Sequence, residues 1–87
     1  MEEKLIYSFN KACYIVATTN CNYDMKIDKE TTNTYFVFPQ NEEIHRAIRE
    51  FSNENMCICN GHKFLETYKR LKRESIQLKD KFLNEFQ

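Results

Sequence analysis

The chain has 87 residues, one tryptophan-free domain's worth, with a single glycine, a single proline and 13 basic residues against 13 acidic ones. A domain this small gains only modest stability from its own core, and a balanced charge excludes the general basic excess of a nucleic-acid or membrane-surface binder. The balance is uneven along the chain: residues 1–60 carry 6 basic and 9 acidic side chains, net −3, and residues 61–87 carry 7 and 4, net +3.

Met1-Glu2-Glu3-Lys4 lacks a basic n-region followed by a long apolar stretch, and the longest apolar run, Ala12 to Ala17, falls well short of the ~18 residues of a membrane span. A cytoplasmic protein with no membrane association is therefore expected, its four cysteines reduced thiols rather than a disulfide framework. Abundant Asn, Lys, Ile and Glu suit an AT-rich genome.

Leu5, Tyr7 and Phe9 alternate with polar or smaller neighbours, the period of a short half-buried strand, and an extended lead-in to a helix would look the same. Asn10 can cap the next segment, Lys11 to Thr19, whose centre is apolar on every side. Periodicity does not choose between helix and strand there: Ile15, Val16, Thr18 and Thr19 pull toward strand, Lys11 and the alanines toward helix, and the balance is read as a short helix. Tyr23, Met25 and Ile27 alternate with Asp24, Lys26 and Asp28 as a strand with one face inward, Lys29 to Asn33 forms a hairpin loop, and Thr34 to Phe38 returns. Tyr35, Phe36, Val37 and Phe38 are apolar on both faces, which predicts a central strand with something packed on each side, ended by Pro39. Asn41 caps a second helix with Glu42 and Glu43 in its first turn and Ile44, Ala47, Ile48 and Phe51 as its buried stripe. After a polar break at Ser52 to Asn55, Met56 to Cys59 is apolar enough for one more short strand.

Asn60 to Phe86 is the strongest element. Phe64, Tyr68, Leu71, Leu78 and Phe82 are spaced 4, 3, 7 and 4 apart, with Ser75 in the skipped step, which makes one continuous helical stripe. The fold class is thus α+β: a short N-terminal helix, a β-hairpin with one or two added strands, a second helix and a long C-terminal helix, in one domain. At about 1.5 Å per residue the last helix runs to ~39 Å, so its far end is expected to overhang the core. Leu71, Ile76, Leu78, Phe82, Leu83 and Phe86 would then form an oligomer interface, because that much apolar surface calls for a second copy or a partner.

Three constellations carry chemistry. Cys57, Cys59 and His62 could ligate zinc with Cys13, Cys21 or His45 as a fourth donor, but the spacing is unlike a paired Cys-x-x-Cys knuckle, and two thiols on one face of a strand behave as small apolar core residues. Neither metal nor cofactor is expected. A Cys–His nucleophile using His45 or His62 lacks a glycine-rich turn to serve as an oxyanion nest, and the pairs Glu2-Glu3 and Glu42-Glu43 read as a solvated terminus and a helix first turn, so the chain is not read as an enzyme. Lys69, Arg70, Lys72 and Arg73 are the candidate partner-binding residues: four cations within five positions of a helix can engage phosphates, although Glu66 and Glu74, each four residues from Arg70, can answer part of that charge as a solvated face. The five tyrosines read as core and interface filler before they read as a stacking platform.

Ala12 to Ala17, Phe36-Val37-Phe38, Glu42-Glu43-Ile44 with Phe51, and Phe64-Leu65 followed by Leu71-Lys72-Arg73 are together similar to a family of small uncharacterised phage and bacterial domains. In that family a short apolar helix precedes a hairpin ending Phe-x-Phe, an acidic-capped helix, and a last helix opening Phe-Leu and continuing to Leu-Lys-Arg. The resemblance covers about residues 7 to 73; the four cysteines and the extension to Gln87 depart from it. It implies an α+β fold and a phage or prophage origin, and brings no activity with it. By analogy, the leading expectation is a counter-defence or host-takeover inhibitor that binds a host protein or sequesters an anionic, nucleotide-like ligand. The alternatives are a nucleic-acid-binding regulator using the basic helix, and a zinc-binding or cysteine-dependent protein.

Overall fold

In the computed structural model, which describes residues 3–19, 21–53 and 61–85, the elements run β1 (Glu3–Ile6), α1 (Phe9–Thr19), β2 (Asp24–Ile27), β3 (Thr34–Pro39), α2 (Glu42–Ser52) and α3 (Gly61–Glu85). The fold class is α+β, three helices with a three-stranded antiparallel sheet of order β1-β3-β2. The Met56 to Cys59 strand expected from the sequence lies outside the described residues.

β1 keeps the period read from the sequence but inverts its phase. Ile6 points into the core at 5% exposure, whereas Leu5 and Tyr7 are 47% and 63% exposed. Phe9 is already the first residue of α1. The cap of α1 is accordingly Ser8 rather than Asn10: its Oγ accepts from the Lys11 amide at 3.3 Å and its carbonyl from the Ala12 amide at 3.0 Å. The ambiguous apolar run is helical, and Ala12 to Ala17 are all buried because α2, α3 and the sheet surround it. Its β-branched tail is compatible with a helix end. Thr18 Oγ1 donates to the Tyr14 carbonyl at 2.8 Å and Thr19 Oγ1 to the Ile15 carbonyl at 2.6 Å, so each hydroxyl bonds back to the carbonyl four residues earlier within the helix.

The β2–β3 hairpin closes through Asp28. Its amide donates to the Asn33 carbonyl at 2.9 Å, and its side-chain Oδ1 accepts from the Glu30 amide at 2.9 Å, an Asx turn within the polar loop. β3 is the central strand, pairing Leu5 with Val37 and Ile6 with Phe36 on one side, and Asp24 with Val37 and Met25 with Phe36 on the other. Phe36 and Phe38 face the helices and are fully buried. Residues of α1, α2 and α3 share one core cluster with Ile6, Phe36 and Phe38 on one face of the sheet, and the opposite face carries Leu5, Tyr35 and Val37. Val37 is only 4% exposed, whereas Leu5 beside it is 47% exposed.

Asn41 caps α2, its Oδ1 accepting from the Ile44 amide at 2.9 Å with the backbone extended. Ile44 and Ala47 are buried against α1, and Tyr14 reaches across to donate to Glu50 Oε1 at 3.1 Å. α3 has 25 residues, about 38 Å at 1.5 Å per residue, in a molecule whose principal extents are 46 × 31 × 19 Å. Phe64, Tyr68 and Leu71 pack on the core, Ser75 is buried, and Leu78 and Phe82 are half-buried along a groove they share with Met25 and Ile27 of β2. The stripe read from the sequence is therefore the seam by which α3 is seated on its own domain.

Candidate functional site

The four cations of the basic run point in different directions. Arg70 leans toward β2, where it neighbours Tyr23, whose hydroxyl donates to Glu74 Oε2 at 2.6 Å. Burial first, then the hydrogen bond and charge of Glu74, push the Tyr23 phenol up to about 12, with Arg70 opposing the shift. Lys69 and Arg73 are exposed on the outer side of α3. Lys72 turns to the opposite flank from Arg70, its ammonium 5.5 Å from the centroid of the Phe9 ring, a cation–π contact. The carboxylates expected to answer Arg70 along the helix are engaged elsewhere: Glu66 with His62 Nε2 at 3.0 Å, and Glu74 with Tyr23.

Beside Lys72 lies a cleft of about 390 Å³, within the range of small-molecule sites. Three separate parts of the chain build it. α3 supplies Tyr68, Lys72, Ser75 and Lys79, the β1–α1 junction supplies Tyr7 and Phe9, and the hairpin end supplies Asp28, Thr31, Asn33 and Thr34. Lys72 and Lys79 are seven residues apart, two helical turns, so they stand one above the other along one wall. The floor is tied by the hydrogen bond between Thr34 Oγ1 and Ser75 Oγ at 3.0 Å. The aromatic side is held rigid: Phe9 meets Tyr68 edge-on at 5.1 Å and Phe36 at 5.7 Å, and Tyr7 stacks on Tyr35 at 5.2 Å. With Lys72, Lys79 and Asp28 the lining carries a net positive charge, and hydroxyl, ammonium and ring faces converge in one place.

The remaining candidates sort as follows. Leu71, expected at an oligomer interface, is 0% exposed and belongs to the protomer's own core, because it lies at the middle of the seam between α3 and α1. Leu78 and Phe82 are half-buried beside β2, Ile76 and Leu83 are 52% and 51% exposed, and Phe86 is outside the described residues. Cys57 and Cys59 also lie outside them, and His62 pairs with Glu66. Burial raises the Cys13 thiol to about 11 and also raises Cys21, the reverse of an activated nucleophile. Among the described residues no group of three or more His, Cys, Asp or Glu is placed to hold a metal ion, and no helix is long and apolar enough to cross a membrane.

Lys72 is the one residue of the candidate set that the cleft uses. Sequence reasoning missed Lys79, Thr34, Ser75 and Tyr7. Two signals pointed their way: a serine inside an otherwise apolar stripe, and a lysine repeating at seven residues.

The chain is thus a small two-layer α+β domain in which a long last helix and a hairpin end enclose a basic, aromatic-walled cleft. Residues 5–77 match the model of the domain of unknown function DUF5659, and the chain belongs to that family. No curated protein and no solved structure matches it.

Proposed function

We propose that the protein is a non-enzymatic binding protein that holds a small anionic, nucleotide-like ligand in the cleft between α3 and the hairpin end. The observation that carries this reading is that Lys72 and Lys79, two turns apart on α3, line one cleft together with Tyr7 and the hydrogen-bonded Thr34–Ser75 pair. Two ammonium groups suit a phosphate, the hydroxyls and the Asp28 carboxylate suit a sugar or a base edge, and Tyr7, 63% exposed, offers a ring face to a planar base. Ser75 shares its hydroxyl with Thr34 rather than with a base, which supports holding a ligand over attacking it. Sequestration of such a ligand by a cytoplasmic phage or prophage protein, as a counter-defence or host-takeover device, is the setting we propose, on the resemblance described above.

Isothermal titration with adenosine monophosphate tests the reading. Lys72→Glu and Lys79→Glu should each weaken binding at least about tenfold, the cost of turning one phosphate contact into a repulsion, while Arg73→Glu leaves it unchanged. Absence of heat with adenosine monophosphate, inorganic phosphate and pyrophosphate alike would reject it. A second reading, nucleic-acid binding, draws on the joint exposure of Lys69, Lys72 and Arg73 on α3. It predicts binding to duplex or single strands that falls steeply with salt and is lost in Lys69→Glu and Arg73→Glu.

A further inference from the structure

β2 is an edge strand: in the order β1-β3-β2 its inner side pairs with β3, and among the described residues no strand pairs with its outer side. A cavity of about 330 Å³ lies between Met25, Lys26 and Ile27 of β2 and Leu78 and Phe82 of α3. Successive side chains of a strand point to opposite faces, so a space that touches these three neighbours in turn runs along the strand's edge rather than over one face. A second cavity of about 380 Å³ shares Met25 and Leu78 with the first and carries the trench back to Tyr23. The hydrogen bonds of Tyr23 to Glu74 at 2.6 Å and of Thr34 with Ser75 at 3.0 Å hold α3 beside the hairpin, so the trench is preformed. Its floor is apolar, with Met25, Ile27, Leu78 and Phe82 all half-buried. Its rim is basic: Lys26, Lys29 and Lys81 are exposed, and among the described residues none of the three forms an ion pair. No residue of the trench lines the ligand cleft, so Tyr7 and Lys72 stay accessible when the trench is filled.

We infer that the trench takes an extended segment of a partner protein in which acidic residues alternate with aliphatic or aromatic ones, added beside β2 as a fourth strand. The outward amides and carbonyls of β2 supply main-chain hydrogen bonds, and the groove supplies the pocket for alternate side chains. Inward side chains of the added strand cover Met25, Ile27, Leu78 and Phe82, and its carboxylates meet the lysines of the rim. The cations stand on both walls, Lys26 and Lys29 from the hairpin and Lys81 from α3. That arrangement calls for negative charge at several points along the occupant, which an acidic polypeptide provides and a single-headed fatty acid does not. A second copy of this edge would bring Lys26 and Lys29 of both chains into one trench, where like charges repel. At about 3.3 Å per residue β2 spans ~13 Å, so the paired segment is short and its binding weak and salt-sensitive.

Fluorescence polarisation of the labelled peptide Glu-Val-Glu-Phe-Glu-Val-Glu against the full chain tests this. The peptide should bind saturably, and its charge-reversed counterpart Lys-Val-Lys-Phe-Lys-Val-Lys at least about tenfold more weakly. Lys26→Glu and Lys81→Glu, exposed changes on opposite walls, should each weaken the acidic peptide several-fold and together at least about tenfold, with an unchanged circular dichroism spectrum. Lys72→Glu, in the ligand cleft, should leave this binding unchanged. An added strand turns only alternate amides toward β2, so N-methylation of one alternating set should abolish binding and methylation of the other should spare it. Failure of the acidic peptide to bind would reduce Lys26 and Lys29 to guards of a bare edge and overturn the inference. So would equal binding of the two charge forms, equal effects of the two methylation sets, a loss in Lys72→Glu in place of the rim variants, or a self-association of the chain that shuts the peptide out.

Discussion

Replacing Leu71 by alanine separates a core residue from an interface residue on the same helix. Leu71 is fully buried in the core cluster that also holds Tyr14, Phe36, Phe38 and Ile44, in the seam that seats α3. Removing its isopropyl group forfeits about three apolar carbons at ~0.8 kcal/mol each, and the space left behind adds to that, for a total of about 3 kcal/mol. An 87-residue domain has roughly 4–13 kcal/mol to lose. Since one kcal/mol moves the midpoint of a domain this size by about 4–8 °C, the variant should melt some 12–24 °C lower. Ile76→Ala is the control: the side chain is 52% exposed, and its loss should cost less than about 1 kcal/mol. Thermal unfolding followed by far-UV circular dichroism, at two protein concentrations a hundredfold apart, reads both. Equal losses for the two variants, or a Leu71→Ala loss that shrinks as concentration rises, would refute the placement of Leu71 in the protomer core.

Asn41→Ala removes the side chain that accepts from the Ile44 amide and should cost about 1 kcal/mol in urea denaturation, with Asn41→Ser recovering most of it. Tyr23 is neutral in the fold to about 12 against an ordinary 10.0, so between those pH values the unfolded chain has released a proton that the folded chain keeps, and stability falls as pH rises through that window. Tyr23→Phe should flatten this part of the pH–stability curve relative to the parent, and absorbance titration should show one late-ionising tyrosine that the variant lacks.

How far the sequence carried depended on whether a feature was local. The α3 stripe, the Asn41 cap with its acidic first turn, and the polar hairpin loop were all legible, because each follows from spacings of a few residues. The phase of β1 was not. Alternation gives a period without saying which set faces inward, and Leu5 and Tyr7 won on size while Ile6 won on position, opposite Phe36. How α3 seats on the sheet was not legible for a related reason: helix length can be counted, but that β2 would run alongside Leu78 and Phe82 depends on sheet order, which no local pattern encodes. The cleft was hidden most deeply. Ser75 and Thr34 are 41 residues apart and meet only once the hairpin folds onto the helix, so the basic run drew notice for its density of charge although the wall uses Lys72 from inside it and Lys79 from beyond it.

Backbone amide NMR of the full chain, titrated with adenosine monophosphate, tests the binding reading most directly, because it reports position as well as affinity. Saturable shifts should centre on Lys72, Ser75, Lys79 and Thr34 with the Tyr7 amide moving in step, and should vanish in Lys72→Glu. Shifts confined to the outer cations Lys69 and Arg73, or a spectrum that does not move, would contradict it.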